Sequence, residues 1–302
     1  MTVHDKKVFV ATDLSEAAGE AIRLADEWAK SMDAELVVCH VMPNPLRMNT
    51  LFPQLNAQMA LDLPALRERA VDQLTETVGE ITGRASADYA IVVDDGHPAA
   101  VIVEKAERYD ADLIVVGSLG HSGMRKLVLG SVATQVVRHA HCPVLVARPH
   151  APTGVVLCAT DFSDPAQPAV NAAAFEARRR GARLTLMHVV DISLAAASHM
   201  AMGFGGVVYN LPREARAEVE RTVQAKLAQA LTDAGIEGDP LVREGSPAVA
   251  IVQAADELDA ELLVVGTIGL TGLRRLTLGS VAEAVARAAP CPVLVVRQTE
   301  VD

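Results

Sequence analysis

The chain is 302 residues long, 50% apolar, 22% charged and only 3% aromatic. That mix excludes a disordered or collagen-like chain, and it leaves the core to Val, Leu, Ile and Ala, which suits buried parallel strands under Ala-rich helices. The net charge of −11 argues against nucleic acid or an anionic membrane surface as a partner, so a bound anion would rely on local backbone dipoles or a few placed cations.

Taken in chain order, the elements alternate. Val8 to Ala11 is a short β-branched run and reads as strand one. Ser15 can cap the helix that follows, on which Ala18, Ala21, Ile22, Ala25, Trp28, Ala29 and Met32 share a face. Glu35 to Met42 reads as strand two, stopped by Pro43 and Pro45. An apolar loop, Asn44 to Leu63, carries Met48, Leu51, Phe52, Leu55 and Met59 and leads into a charged helical pattern from Leu66 to Ile81. Tyr89 to Val93 is strand three, Pro98 to Tyr109 a helix with Pro in its first turn, and Leu113 to Val116 strand four. Ser131 to Ala140 is a last helix and Val144 to Ala147 strand five.

The whole series then repeats. VFVATDLS from Val8 returns as VLCATDFS from Val156, an offset of 148 between Asp13 and Asp161, and Gly96-His97-Pro98-Ala99 returns as Gly245-Ser246-Pro247-Ala248 at an offset of 149. The link lies near Arg148 to Thr153, which divides the chain into domains 1–149 and 154–302. Each is expected to be α/β, a doubly wound, mostly parallel sheet of five strands flanked by helices. A ligand of such a sheet sits beyond the carboxyl ends of the strands, where the strand order reverses.

Strand four leads into Gly117-Ser118-Leu119-Gly120, nine residues, then Gly130-Ser131; the second half has Gly266-Thr267-Ile268-Gly269, nine residues, then Gly279-Ser280. Glycines let a backbone approach phosphate and adopt positive φ, and a helix opening at Gly-Ser offers unpaired N–H groups and a dipole to an anion. Arg125-Lys126 and Arg274-Arg275 lie within the nine-residue stretches and could assist. Turn-forming glycines and an ordinary helix cap are the plain alternative. Asp13 and Asp161, expected at the same crevice, add a carboxylate that could accept from a base or a sugar.

Other chemistries fit poorly. Strand one is followed by no G-x-G-x-x-G, and no Gly-Lys-Ser/Thr is present, which argues against a dinucleotide site and leaves fast phosphoryl transfer without its usual machinery. His139 and His141 beside Cys142 resemble metal ligands in composition, but the second half has Ala288 and Pro290 there, so they read as helix-end histidines. His40 and His188, closing strand two, read as satisfied core histidines. The four cysteines, Cys39, Cys142, Cys158 and Cys291, form no CxxC and are expected to be free and buried. The sequence reads without a secretory leader or a stretch of about 18 apolar residues, so a cytoplasmic location is expected.

With these motifs together, including the closing Cys-Pro-Val-Leu-Val, the chain resembles a tandem universal stress protein over nearly all its length. The resemblance implies a cytoplasmic stress-response regulator binding ATP, with or without Mg2+, in each crevice. Asp13 and Val41 would lie at the adenine and ribose end, with Gly117, Gly120, Gly130 and Ser131 on the phosphates and Val132 and Ala133 adding backbone contacts. The second set would be Asp161, Val189, Gly266, Gly269, Gly279, Ser280, Val281 and Ala282. Leu119 and Ile268 depart from the family, which often has a polar or basic residue there. The resemblance also makes strand five a dimer contact, so the two domains are expected to pair as a pseudo-dimer, and a homodimer is open as well. The alternatives are an interaction scaffold without nucleotide and a slow ATPase.

Overall fold

A computed structural model describes residues 6–42, 53–118, 129–191, 213–267 and 278–297. The chain divides into two units, Met1–Pro149 and His150–Asp302. Among the described residues, no helix is long and apolar enough to cross a membrane.

In the first unit, β1 (Lys7–Thr12), β2 (Glu35–Met42), β3 (Tyr89–Asp95), β4 (Leu113–Gly117) and β5 (Val144–Ala147) lie in the order β3-β2-β1-β4-β5. All four pairings are parallel. Among the described residues, four helices connect them: α1 (Glu16–Met32), α2 (Pro53–Thr82), α3 (Pro98–Arg108) and α4 (Ser131–His139). The core is the aliphatic strand set foreseen from composition, with Val8, Phe9, Val10, Leu36, Val37, Val38, Ile114, Val115 and Leu145 all fully buried. Ala18, Ala21, Ile22, Ala25, Trp28 and Ala29 bury the expected face of α1. Ser15 caps that helix, its hydroxyl accepting from the Ala18 N–H at 3.3 Å.

One helix differs from expectation. α2 starts at Pro53 and runs through Pro64, so part of the expected loop is helical. An internal proline removes one ladder donor and usually ends a helix; here the chain continues through it, and Leu55 and Met59 fall on helical backbone. The strands, by contrast, differ from the reading by no more than two residues at either end.

The second unit repeats the plan. β6 (Val155–Ala159), β7 (Arg183–Val190), β8 (Gly238–Glu244), β9 (Leu262–Gly266) and β10 (Val293–Val296) lie in the order β8-β7-β6-β9-β10, again all parallel. Its helices are α5 (Gln167–Arg180), α6 (Arg213–Asp233), α7 (Pro247–Glu257) and α8 (Ser280–Ala288). A 3₁₀ turn, Asp164–Ala166, precedes α5 where the first unit enters its helix directly; Pro165 and Pro168 have no counterpart in α1.

In both units the strand order reverses at the first strand. β1 lies between β2 and β4, and β6 between β7 and β9. That reversal is the switch point at which a doubly wound sheet opens a crevice.

Candidate functional site

Both crevices begin with the same turn. β1 ends at Thr12, and the chain turns through Asp13 and Leu14 into Ser15. Leu14 is left-handed, with φ 64°, and its partner Phe162 has φ 61°. A branched or aromatic side chain pays strain there, so the surrounding bonds must hold it. Three do. The Thr12 hydroxyl accepts from the Leu14 N–H at 3.1 Å. One Asp13 oxygen accepts from the Ser15 N–H at 3.1 Å and from its hydroxyl at 2.6 Å. Thr160, Phe162, Asp161 and Ser163 repeat this at 3.1, 3.0 and 2.6 Å. Each carboxylate is thereby fixed, half-buried, at the carboxyl end of its first strand.

The second wall is the end of β4. Ala11 pairs with Val116, so Asp13 and Gly117 lie at the same end of adjacent strands. Beyond Gly117, the Ser118 N–H donates to the Ala147 carbonyl (3.1 Å) and the Ser118 carbonyl accepts from the Gly130 N–H (2.8 Å). Thr267 does the same with Val296 (2.9 Å) and Gly279 (2.8 Å). The N–H groups of Gly130 and Gly279 are therefore committed within the protein. Nor does either glycine use positive φ: they have φ −61° and −64° and serve as the N-caps of α4 and α8. This corrects the expectation that these two glycines are there for positive φ. The donors offered to an anion are instead the N–H groups of Ser131, Val132 and Ala133, and of Ser280, Val281 and Ala282, which have no acceptor inside their helices. Both serines are exposed, as an accessible anion site requires.

Space at the two glycines differs. A Cβ on Gly130 would meet the Ser118 carbonyl at 3.5 Å, an ordinary contact, whereas on Gly279 it would meet the Thr267 carbonyl at 3.1 Å. The first site thus keeps room that the fold itself does not demand.

Strand two forms the third wall. Val41 is half-buried and pairs with Asp94 of β3, while Val189 is 9% exposed and pairs with Arg243. Asp94 binds Lys105 at 2.5 Å, and that bond, aided by the Asp95 N–H and Arg67, holds its carboxyl below the usual range. His40 and His188, just before Val41 and Val189, donate from Nδ1 to the Thr12 and Thr160 carbonyls at 2.9 and 2.8 Å. They are satisfied, as the sequence suggested, but their partner is the residue that starts the Asp turn.

Thr12 and Thr160 were visible inside the repeated Ala-Thr-Asp, yet nothing in the sequence assigned them a role. Leu14 and Phe162 carried no signal at all, since neither residue type favours positive φ. The second crevice has one further feature. The Phe162 ring lies 4.7 Å from the His188 ring, and Lys226 stands 5.6 Å from its centroid.

Gly120 and Gly269, Leu119 and Ile268, and the basic pairs Arg125-Lys126 and Arg274-Arg275 lie outside the described residues. So do Met48, Leu51 and Phe52. His139 and His141 turn to separate acceptors, the Gln135 amide oxygen and the Ala111 carbonyl, both at 3.1 Å. Among the described residues no group of His, Cys, Asp or Glu is arranged to hold a metal ion. All four cysteines are buried and none is in a disulfide.

The universal stress protein family model matches residues 5–148 and again 153–297. The chain belongs to the universal stress protein family. A family member from Mycobacterium tuberculosis is 30% identical over 312 aligned residues, covering 97% of this chain and 96% of that one. Another from Methanocaldococcus jannaschii is 36% identical over 146 residues, 47% of this chain and 82% of that one. The crystal structure of a universal stress protein from Archaeoglobus fulgidus, 21% identical, has the same fold with a TM-score of 0.65 over 97% of this chain and 96% of that one. The duplication seen in this sequence is therefore a tandem of family domains.

Proposed function

We propose that this universal stress protein binds ATP in both crevices and acts as a cytoplasmic, nucleotide-responsive regulator of the stress response. The observation that carries the reading is a juxtaposition made twice. A carboxylate fixed by its own turn (Asp13, Asp161) faces, across the switch point, a helix N-terminus whose first N–H groups need an acceptor (Ser131 to Ala133, Ser280 to Ala282). An acidic chain can hold a polyphosphate this way because backbone donors carry no cationic cost. The carboxylate accepts from the base or ribose; the helix ends take the phosphates, with Gly117, Gly120, Gly266 and Gly269 allowing close approach. Mg2+ enters, where it enters, as the complex with ATP, since the described residues offer it no cluster of their own.

The test is the nucleotide content of purified protein, released by denaturation and separated by chromatography, followed by calorimetry on stripped protein. ATP bound at both sites supports the reading. No ATP binding at either leaves an interaction scaffold, and phosphate release in steady state would mark a slow ATPase.

The two domains are further proposed to pair through their last strands, which the sequence makes nearly identical: Cys142 to Ala147 and Cys291 to Val296. Solution scattering should then give the radius of gyration of one compact particle. A radius that fits two freely tethered domains counts against pairing.

A further inference from the structure

We propose that His40 and His188 are positioning residues for the carboxylates of the two crevices. Each imidazole holds the strand-end carbonyl from which the Asp-bearing turn springs.

The geometry is the same in both units. Thr12, the last residue of β1, and His40, two residues before the end of β2, are register partners. The His40 Nδ1–H donates to the Thr12 carbonyl at 2.9 Å, and His188 donates to Thr160 at 2.8 Å. A carbonyl can only accept, so each ring carries its proton on Nδ1. The same threonine turns its hydroxyl to the N–H of the left-handed residue two positions on. Thr12 and Thr160 are 6% and 8% exposed, so neither can exchange its partners for water at little cost. The threonine is thus clamped at both ends, by the histidine ring through its carbonyl and by the strained residue through its hydroxyl. In the second unit the His188 ring also packs against Phe162, the strained residue itself. A left-handed Leu or Phe persists only where its neighbours over-determine it. Removing the ring's donor releases the strand end, relaxes the turn and lets the carboxylate swing from the crevice. The histidine touches no ligand; it acts through Thr and Asp.

The effect on nucleotide rests on the proposed ATP binding, whereas the positioning does not, and the two are tested separately. In ligand-free protein, ring ¹⁵N shifts should show both histidines carrying a proton on Nδ1; a ring whose Nδ1 is bare overturns the proposal. His40→Leu with His188→Leu removes both donors, while His40→Asn with His188→Asn keeps an N–H at the same branch of the side chain. The Leu pair should speed amide exchange at Ser15 and Ser163 and weaken ATP roughly 10-fold, as for one lost hydrogen bond, and the Asn pair should restore both. Unchanged turn amides in a folded Leu pair would overturn positioning. Should the Leu pair not fold, the Asn pair decides: native turn exchange supports the proposal and altered exchange overturns it. If stripped wild-type protein binds no ATP, the nucleotide reading fails alone, and ring shifts and exchange still judge the histidines.

Discussion

At the scale of single residues, Gly130 separates folding from binding. Its dihedrals suit any residue and a Cβ there meets only one carbonyl at ordinary distance. Gly130→Val should therefore cost no more than about 1 kcal/mol, the effect of a poorer N-cap residue. Its side chain would stand where phosphate approaches, so ATP affinity at that site should fall about 10-fold or more by calorimetry. Gly279→Val at the tighter position should lower both. A second residue-scale expectation concerns Asp94. Its folded pKa lies below the unfolded value because Lys105 donates to it. The pair therefore stabilises the fold above about pH 3.9, and that contribution is lost as pH falls through the depressed folded value. Lys105→Met should raise the Asp94 carboxyl titration seen by NMR and cost about 0.5 kcal/mol near neutrality, modest because the carboxylate is partly solvated. The thiols make a third case. Burial pushes Cys39 and Cys158 up to about 12, so almost no thiolate exists at pH 8. Native protein should resist a thiol-reactive dye at both positions and react on denaturation; rapid native labelling at either would show that its strand opens.

Among the elements, strands were legible and turns were not. β2 and β5 match the reading at both ends, because runs such as Val37-Val38-Cys39 and Val144-Leu145-Val146 admit only buried strand. The start of α2 was hidden by Pro64, which signals a break that the chain does not make. The site divided in the same way. Asp13, Gly117, Ser131 and their second-unit partners come together because strand order brings them to one end of adjacent strands, and strand order was implied by the alternation of elements. The clasp of Gly130 on Ser118 and the left-handed Leu14 lie inside the repeated motifs, but a hydrogen bond across the nine-residue stretch and a dihedral at Leu are set by the folded backbone, which residue types and spacing do not announce. Gly96 and Gly245, which end β3 and β8, are a case where the motif did mark a backbone demand: their φ values are 143° and 128°. Ala at either should cost about 1–3 kcal/mol in urea unfolding. Gly96→Ala should cost more, since its Cβ also meets Val101 at 3.2 Å while nothing approaches within 4 Å at Gly245. Equal costs would mean that dihedral strain alone sets the effect.

For the whole molecule, duplication makes the number of sites a measurable quantity. Two equivalent turns and two equivalent helix ends predict two ATP per chain. Gly130→Val should leave one of full affinity, and Gly130→Val with a matching block at Ser280→Glu, whose carboxylate would repel phosphate at the α8 N-terminus, should leave none. Linkage supplies a second readout that does not depend on heat of binding. A ligand at 100 times its Kd stabilises the state that holds it by about 2.7 kcal/mol. Each unit has its own buried strand core, Val8 to Val10 in one and Val156 to Cys158 in the other. ATP should therefore raise the unfolding temperature of a unit with an intact site more than that of a unit with a weakened one. In the Gly130→Val chain the melting curve would split on adding ATP, with the second unit moving further than the first. A single transition that shifts as a whole would instead mean that the two units unfold as one, and the stoichiometry alone would then count the sites.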